Sequence, residues 1–307
     1  MDFAFLFPGQ GAQKVGMGKE VAEAFPDTAG RIFARADEIL GIPLSSFCFE
    51  GPDEELARTE ITQPALLTTS VAILSVLKRL GIEPLAAAGH SVGEYAALVS
   101  TGAIAFDDAL PVVRLRGQLM AQAVAETPGA MAAIMGLDFD QVEAVCHEAS
   151  ARGVVEPSNL NTPTQVVISG QTEAVLEAME SAKEQGGKAV RLNVSAPFHC
   201  SLMAPVRDAL APAVEAMPVH VPIAPVIANA TALPVSEPER IREALLDQIE
   251  SPVRWTDTMR YFLNHGQDSF LEVGPGKVLA GLFRSMDRAV QVTGVGTPSD
   301  IEQLIAE

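Results

Sequence analysis

The stretch Gly89-His90-Ser91-Val92-Gly93-Glu94 decides the predicted fold, because it has the form G-x-S-x-G of a nucleophile elbow. A short apolar run at residues 85–88 precedes it, and a helical pattern follows it. Small residues around Ser91 permit a sharp strand-to-helix turn that exposes the hydroxyl. The N–H groups of the helix start would stabilise an oxyanion there. The stretch predicts either a nucleophilic serine or a glycine-rich turn with an ordinary serine.

Composition limits the class of protein. The chain has 307 residues, of which 48% are hydrophobic, so we expect a sizeable core and no extensive disorder. The formal net charge of −18 argues against nucleic acid and anionic membrane surfaces as partners. The three cysteines lack metal-ligand spacing and do not suggest a disulfide framework. Without a signal peptide or a membrane-length apolar run, the sequence predicts a cytoplasmic protein.

Short apolar runs alternate with helical patterns over most of the chain. The first run covers residues 3–7, and later runs cover residues 85–88, 224–228, 270–273 and 290–295. This alternation predicts an α/β fold in which helices cover a mainly parallel sheet. The loop after the first run contains Gln10 between glycines, which allow the backbone to approach a ligand closely.

Two predicted helices carry polar residues that need an explanation. Pro64 is expected in the first turn of a long buried helix, with Gln63 as a cap or a pocket residue. Asp107 is expected to cap a second helix, and Arg116 lies on the apolar stripe of that helix. A guanidinium at such a position needs an external anion, an internal salt bridge or an extended path to solvent. The helical pattern alone leaves these interpretations open.

The pattern changes near Pro128. From there to residue 194 the predicted order is strand, helix, strand, strand, helix, strand, which is typical of a ferredoxin-like unit. We therefore predict a large α/β-hydrolase-like domain formed by residues 1–127 and 195–307. A small ferredoxin-like α+β subdomain, residues 128–194, is inserted into it.

A serine nucleophile needs a base at neutral pH. His90 is adjacent to Ser91, where neighbouring side chains diverge, so it is a poor base but a possible pocket residue. His199 lies in a proline-bounded turn at a helix start, a position that suits either a structural or a catalytic histidine. The sequence shows no evident acidic residue to complete a triad.

Seven segments, in their order along the chain, resemble the malonyl-CoA:acyl carrier protein transacylase family. The resemblance covers nearly the whole chain. The segments are residues 5–11 (FLFPGQG), 63–65 (QPA), 89–95 (GHSVGEY), 114–117 (RLRG), 196–200 (APFHC), 251–255 (SPVRW) and 272–276 (EVGPG).

The resemblance implies a reaction and roles for specific residues. Ser91 would attack the thioester carbonyl of malonyl-CoA, and His199 would act as its base. The N–H groups of Gln10 and Val92 would form the oxyanion hole, and Arg116 would pair with the malonyl carboxylate. The thiol of an acyl carrier protein would then take the malonyl group in a ping-pong reaction of fatty acid or polyketide synthesis. Coenzyme A enters as part of the substrate, and no cofactor or metal is expected.

The resemblance also implies supporting residues. The backbone carbonyl of Ser251 would orient His199, although the family often has asparagine at this position. Val92 is a second departure, since leucine is common there. Further pocket-lining residues implied by the resemblance are Gln63, His90, Asn161 and Gln165.

The expected partner raises an electrostatic problem. Acyl carrier proteins are generally acidic, and this chain also has a net charge of −18. Docking should therefore use a local basic patch on the surface of this chain. The alternative is that the surface cations are scattered and form no docking site. Candidates are Lys188, Arg191, Lys277, Arg284 and Arg288. The enzyme itself is expected to be a monomer.

Three other interpretations remain open at this stage. A serine esterase or thioesterase would use Ser91 and His199 equally well, but it has no need of a buried arginine. A non-catalytic carrier-binding module would need neither residue. A third interpretation keeps the chemistry and assigns the chain to a polyketide synthase, which the sequence cannot separate from fatty acid synthesis.

Overall fold

The computed structural model describes residues 3–126, 128–192, 194 and 196–306. The strands are β1 Ala4–Phe7, β2 Ala86–Gly89, β3 Gly129–Met135, β4 Val155–Thr162, β5 Gln165–Gln171, β6 Lys188–Arg191, β7 Val226–Ile227, β8 Pro234–Val235, β9 Ser269–Val273 and β10 Gln291–Val295. The helices are α1 Lys19–Ala24, α2 Arg31–Leu40, α3 Leu44–Glu50, α4 Asp53–Leu56, α5 Thr59–Arg79, α6 Gly93–Ser100, α7 Phe106–Glu126, α8 Phe139–Ala149, α9 Thr172–Glu184, α10 Ala204–Ala216, α11 Pro238–Glu250, α12 Trp255–Asn264, α13 Val278–Met286 and α14 Pro298–Ala306.

The larger sheet has the order β10-β9-β1-β2-β7-β8 and is parallel except for β8 at its edge. All four residues of β1 are buried, as expected for a central strand covered on both faces. The register pairs Phe7 with Gly89, so β1 and β2 end at the same edge of the sheet. The loop that contains Gln10 therefore lies beside the Ser91 turn. The prediction of a mixed α/β fold with a mainly parallel sheet is confirmed.

A separate antiparallel sheet has the order β4-β5-β3-β6. Successive residues of β3 face opposite sides, so Ala132 and Ile134 pack under α8 and α9, whereas Met131 and Ala133 join the main core. One face of this sheet is thus available to the larger part of the chain. The predicted boundaries at residues 127 and 195 fall outside the described residues.

Helix α5 begins at Thr59, so the expectation that Pro64 opens it is wrong. Pro64 lacks an N–H, which leaves the carbonyl of Glu60, four residues earlier, without its helical partner. The guanidinium of Arg114 on α7 donates to that carbonyl and so compensates for the missing bond. By length and composition α5 could cross a membrane, but 89% of its apolar window is buried inside the protein.

Helix α7 begins one residue before Asp107, so this residue is not the predicted cap. Asp107 lies in the first turn, and its Oδ2 accepts hydrogen bonds from the Nε and Nη2 of Arg35 at 3.0 and 2.8 Å. The carboxylate therefore joins α7 to α2 instead of satisfying the N–H groups of its own helix.

Candidate active site

The turn after β2 has the strained geometry of a nucleophile elbow. Ser91 has a φ of 51°, in the left-handed region that non-glycine residues seldom adopt. A Cβ on Gly89 would lie 2.0 Å from the carbonyl carbon of Gly93, and a Cβ on Gly93 would lie 2.3 Å from the oxygen of Phe7. Only glycine fits at either position, so the motif is required by close backbone approach.

Asn229, just after β7, holds this turn in place. Its Oδ1 accepts from the backbone N–H of Ser91 at 2.7 Å, and its Nδ2 donates to the carbonyl of Gly89 at 2.7 Å. The sequence reasoning missed this residue. The available signal was a polar side chain directly after a predicted strand, at the sheet edge where α/β proteins place their sites.

Ser91 and His199 are in direct contact. Ser91 Oγ lies 2.8 Å from His199 Nε2, while His199 Nδ1 lies 2.8 Å from the backbone carbonyl of Gln248. The carbonyl can only accept, so Nδ1 carries the proton and Nε2 is free to accept from the serine hydroxyl. Burial, followed by the charge of Arg116, lowers the pKa of His199 to about 3. The imidazole is therefore a neutral base at physiological pH.

The orienting carbonyl belongs to Gln248, so the expectation that Ser251 provides it is wrong. Gln248 lies in the last turn of α11, where its carbonyl would normally accept from the N–H of residue 252. Residue 252 is proline and has no N–H, which leaves the carbonyl available to His199. Ser251 lies beyond the helix and instead lines a separate cleft of about 650 Å³.

Arg116 on α7 is fully buried beside the nucleophile. Its Nη1 donates to Gln63 Oε1 at 2.7 Å, and its Nη2 donates to Gln248 Oε1 at 2.8 Å and to Ser91 Oγ at 3.2 Å. Both amide acceptors are neutral, and no ion pair of Arg116 is found among the described residues. Burial lowers its pKa, but a guanidinium stays charged in proteins. The internal salt bridge and the path to solvent considered above are therefore both excluded.

The predicted oxyanion residues lie at the same place. Gln10 and Val92 both line the cavity around Ser91. Among the described residues, no protein acceptor is found for the backbone N–H of either one. Two donors near the nucleophile are thus available for an oxygen of a ligand.

The cavity measures about 190 Å³ and brings together most of the predicted site residues. His90 Nε2 lies 2.9 Å from Asn161 Oδ1, so these two side chains join the elbow to β4. Part of the wall is apolar and comes from the antiparallel sheet and the chain after it. The lining residues are Gln10, Gln63, His90, Ser91, Val92, Met120, Met131, Asn159, Asn161, Val167, Leu192, Val194, Phe198 and His199.

Gln165 is not among the residues that line this cavity, so its predicted place there is wrong. It is the first residue of β5 and pairs with Met135 and Thr162 at the hairpin end of the sheet. Val167 lies two residues further along the same face and lines the cavity instead. The position along the strand decides which side chain reaches the cavity, and the family resemblance did not specify that position.

The five candidate docking cations fall into two groups. Lys188 and Arg191 are exposed on β6, and the next residue, Leu192, lines the cavity. Arg284 and Arg288 share a shallow surface depression at the end of α13, and Lys277 directly precedes that helix. Among the described residues none of the five forms an ion pair.

No group of three or more histidine, cysteine or carboxylate side chains in the described part of the chain is arranged to hold a metal ion. All three cysteines are free and buried. The polar groups closest to the Ser91 hydroxyl include the His199 imidazole, the buried Arg116 cation and two backbone donors. Such a set can carry out acyl transfer through a serine ester.

Comparison with known proteins gives consistent matches over nearly the whole chain. The sequence model of a family described as acyl transferase domain matches residues 4–295. The chain is 46% identical to the malonyl CoA-acyl carrier protein transacylase of Bacillus subtilis (strain 168), over 98% of this chain and 96% of that protein. It is 44% identical to the protein of the same name from Escherichia coli (strain K12), over 97% of this chain and 96% of that protein.

Solved structures show the same similarity. An acyl carrier protein S-malonyltransferase from Vibrio cholerae O1 biovar eltor superposes with a TM-score of 0.96 at 43% identity, over 99% of this chain and all of that chain. A malonyl-transacylase solved in complex with a type II PKS acyl-carrier protein also gives a TM-score of 0.96. It is 42% identical over 100% of this chain and 99% of that chain.

Proposed function

This chain belongs to the acyl transferase domain family, and we propose that it transfers the malonyl group of malonyl-CoA to the phosphopantetheine thiol of an acyl carrier protein, for fatty acid or polyketide synthesis. The observation that carries this proposal is Arg116, a buried cation without an ion-pair partner among the described residues, 3.2 Å from Ser91 Oγ. A malonyl thioester carries both the carbonyl that a serine attacks and the carboxylate that such a cation binds.

In the first half-reaction, Ser91 Oγ attacks the thioester carbonyl carbon while His199 Nε2 takes the hydroxyl proton. The N–H groups of Gln10 and Val92 bind the oxyanion of the tetrahedral intermediate. Collapse of this intermediate breaks the carbon–sulfur bond, and the coenzyme A thiolate takes the proton from His199. The product is a malonyl ester of Ser91.

In the second half-reaction, His199 takes the proton of the carrier thiol, and the sulfur attacks the malonyl ester. The carbon–oxygen bond breaks, and Ser91 recovers the proton from His199. The same imidazole serves as base and acid in both halves because the carbonyl of Gln248 holds its Nδ1–H throughout. Coenzyme A enters and leaves as part of a substrate, and the proposed reaction uses no cofactor.

The test of this proposal is the choice between malonyl and acetyl groups. Losing one partner of a desolvated charge pair costs roughly 2–5 kcal/mol, so Arg116→Ala should lower kcat/KM for malonyl-CoA by about one and a half to four powers of ten. The loss for acetyl-CoA should be far smaller, because its uncharged acetyl group has no carboxylate to pair with the cation. The measurement is the ratio of the two specificity constants.

Arg114→Ala is the matched control, because Arg114 lies on the same helix and binds the carbonyl of Glu60. R114A should lower the free energy of unfolding and leave the ratio of kcat/KM for malonyl-CoA to kcat/KM for acetyl-CoA unchanged. An unchanged ratio in R116A itself would make Arg116 structural and remove the basis of the malonyl assignment. An esterase predicts equal losses for both substrates, and also hydrolysis that does not depend on an acceptor thiol.

We also propose the finer division of the fold and the setting of the enzyme. The order β4-β5-β3-β6, with α8 and α9 packed on one face, supports a ferredoxin-like subdomain at residues 128–194, inserted in an α/β-hydrolase-like domain of residues 1–127 and 195–307. The enzyme would be a cytoplasmic monomer that binds malonyl-CoA and a carrier protein, without nucleic acid or membrane as partner.

A further inference from the structure

Gln248 forms hydrogen bonds with His199, Arg116 and the backbone of Ser91. Its backbone carbonyl lies 2.8 Å from His199 Nδ1, and its side-chain Oε1 accepts from Arg116 Nη2 at 2.8 Å. Its Nε2 donates to the carbonyl of Ser91 at 3.1 Å and to Oε2 of Glu94 at 2.7 Å. One residue at the end of α11 therefore connects the proposed base, the nucleophile and the malonyl-binding cation.

Glu94, together with the backbone carbonyl of Ser91, decides which end of the Gln248 amide faces Arg116. An amide has an accepting and a donating end of nearly the same shape, so its neighbours set its orientation. Glu94 Oε2 accepts from Gln248 Nε2 and also from the backbone N–H of Asn229 at 3.0 Å. The opposite orientation would bring two donors together at Arg116 and two oxygens together at Glu94. The carboxyl group, which makes the shorter of the two contacts to Nε2, thus helps to select the orientation that leaves Oε1 for the guanidinium.

Burial makes this arrangement costly to disturb. Arg116 and Gln248 are 0% exposed and Glu94 is 1% exposed, so water cannot replace a lost partner. Burial raises the pKa of Glu94 to about 7, against the opposing hydrogen bonds and the charge of Arg116. Oε2 can accept whether the carboxyl group is ionised or carries a proton on its other oxygen. The orientation of the amide is therefore retained in both states.

We propose that Glu94 and Gln248 are positioning residues for malonyl recognition. Glu94 fixes the Gln248 amide, and the amide holds the Arg116 guanidinium against Ser91, so that the carboxylate and the thioester carbonyl of one malonyl group are bound in register. This inference rests on the proposed function. It adds two side chains that hold the Arg116 cation at a fixed position relative to the Ser91 nucleophile.

Glu272 shows what a buried carboxylate does when its role is only structural. It is 0% exposed on β9, and it accepts from the backbone N–H groups of Leu279 and Ala280 at 3.0 and 2.8 Å. It therefore binds the start of α13, and among the described residues no hydrogen bond of its carboxylate reaches Ser91, Arg116, His199 or Gln248. Glu272→Gln is accordingly the matched control for changes at Glu94.

The test uses substitutions that keep side-chain volume. Glu94→Met and Gln248→Met remove the polar ends, and Q248M keeps the backbone carbonyl that holds His199. Because a small displacement of a positioning group can cost about 100-fold, each should lower kcat/KM for malonyl-CoA by about 10- to 100-fold and that for acetyl-CoA far less. Glu94→Gln keeps an oxygen acceptor, so it should remain close to wild type.

The two residues act in series, so the double variant E94M/Q248M should be no worse than Q248M alone. Equal losses for malonyl-CoA and acetyl-CoA, or E94Q as impaired as E94M, would overturn the proposal. If Q248M fails to fold, the comparison of E94M with E94Q decides. E272Q should leave the malonyl-to-acetyl ratio unchanged. Failure of the proposed function is seen separately, as a wild-type enzyme that forms no malonyl-serine ester.

Discussion

The two sides of the catalytic cavity are built by different means. On one side the polar wall, which we define as the lining residues Gln10, Ser91 and His199 together with Arg116, buried directly against Ser91, comes from the larger part of the chain. Its serine, arginine and histidine side chains are held by hydrogen bonds of 2.7 to 3.2 Å. The apolar wall, defined as Met131, Val167, Leu192 and Val194, belongs to the antiparallel sheet and the segment after it.

The polar wall therefore carries out the chemistry, and the apolar wall determines the shape of the cavity. A hydrogen-bonded, buried polar group is fixed in direction as well as in position, and its loss leaves partners without compensation. An apolar side chain contributes contact area that has no direction. Changes in the polar wall should therefore alter the rate or the choice of acyl group by orders of magnitude. Changes in the apolar wall should alter both substrates modestly and equally.

The largest effect is expected at the nucleophile. Ser91→Ala should abolish the malonyl-enzyme adduct, because no other hydroxyl of the polar wall can form the ester. The fold should remain, since the strained turn is held by Asn229 through the backbone of residue 91. Mass spectrometry of the protein after incubation with malonyl-CoA measures the adduct. Malonyl bound to purified S91A would identify a different nucleophile.

His199→Ala should slow both half-reactions by about 100- to 10,000-fold, the usual contribution of a general base. Single-turnover acylation with malonyl-CoA and single-turnover transfer to a carrier thiol measure the two steps separately. Normal acylation of Ser91 in H199A would rule out the assigned pair.

The pH dependence provides a second test of His199. Its pKa of about 3 keeps the imidazole neutral, so acylation should not slow between pH 8 and pH 6. A histidine with an unperturbed pKa of about 6.5 would lose about fourfold by pH 6. Burial raises the pKa of Glu94 to about 7, but this carboxyl group holds Gln248 in both protonation states, so E94Q should show the same flat profile as wild type. A decrease that persists in E94Q contradicts the neutral base.

The polar wall was predictable where the residue type itself carries the chemistry. Ser91, His199 and Arg116 stand out because a serine in an elbow, a histidine in a turn and an arginine on an apolar stripe each need an explanation, and the family resemblance then chose among the explanations. Gln248 and Asn229 were missed because they act through a backbone carbonyl and an amide from distant segments. Their positions depend on tertiary packing, which local periodicity does not encode.

The two wrong predictions of site residues, Ser251 and Gln165, each named a position a few residues away from the one that reaches the site. The carbonyl assigned to Ser251 belongs to Gln248, almost one helical turn earlier, because the end of α11 decides which carbonyl is free. Pro252, four residues after Gln248, was the available signal. Gln165 was displaced by two residues on β5, where the strand period conserves the face but not the distance from the cavity.

The apolar wall should tolerate substitution better. Val167→Ala removes two methyl groups from the cavity lining. Burial of a carbon atom against the substrate is worth about 0.8 kcal/mol, and because the substrate covers these methyl groups only in part, we expect about a fivefold loss of kcat/KM. Malonyl-CoA and acetyl-CoA share the thioester arm, so both should lose equally. Val166→Ala, whose side chain packs in the core under α8 and α9, is the control for stability. A changed malonyl-to-acetyl ratio in V167A would show that the apolar wall also selects the acyl group.

The smallest effect is expected at the surface that lies outside both walls. Arg284 and Arg288 are cations without an ion pair among the described residues, so an acidic carrier protein could dock there despite the net charge of −18. Exposed charge pairs are worth little, so reversing both residues to Glu should raise the carrier KM by about threefold at low salt and leave the malonyl-CoA KM unchanged.

Arg79→Glu is a control for net charge that makes half the change of the double reversal (−2 against −4), and Arg79 ends α5, sixteen residues or about 24 Å along the helix from Gln63 at the cavity. If R79E raises the carrier KM as much as the double reversal does, the effect is one of overall charge, and Arg284 and Arg288 form no docking surface. If neither variant changes it while Lys188→Glu and Arg191→Glu do, the carrier approaches along β6, beside the apolar wall. In that case the side of the cavity that gives shape to the site would also receive the second substrate.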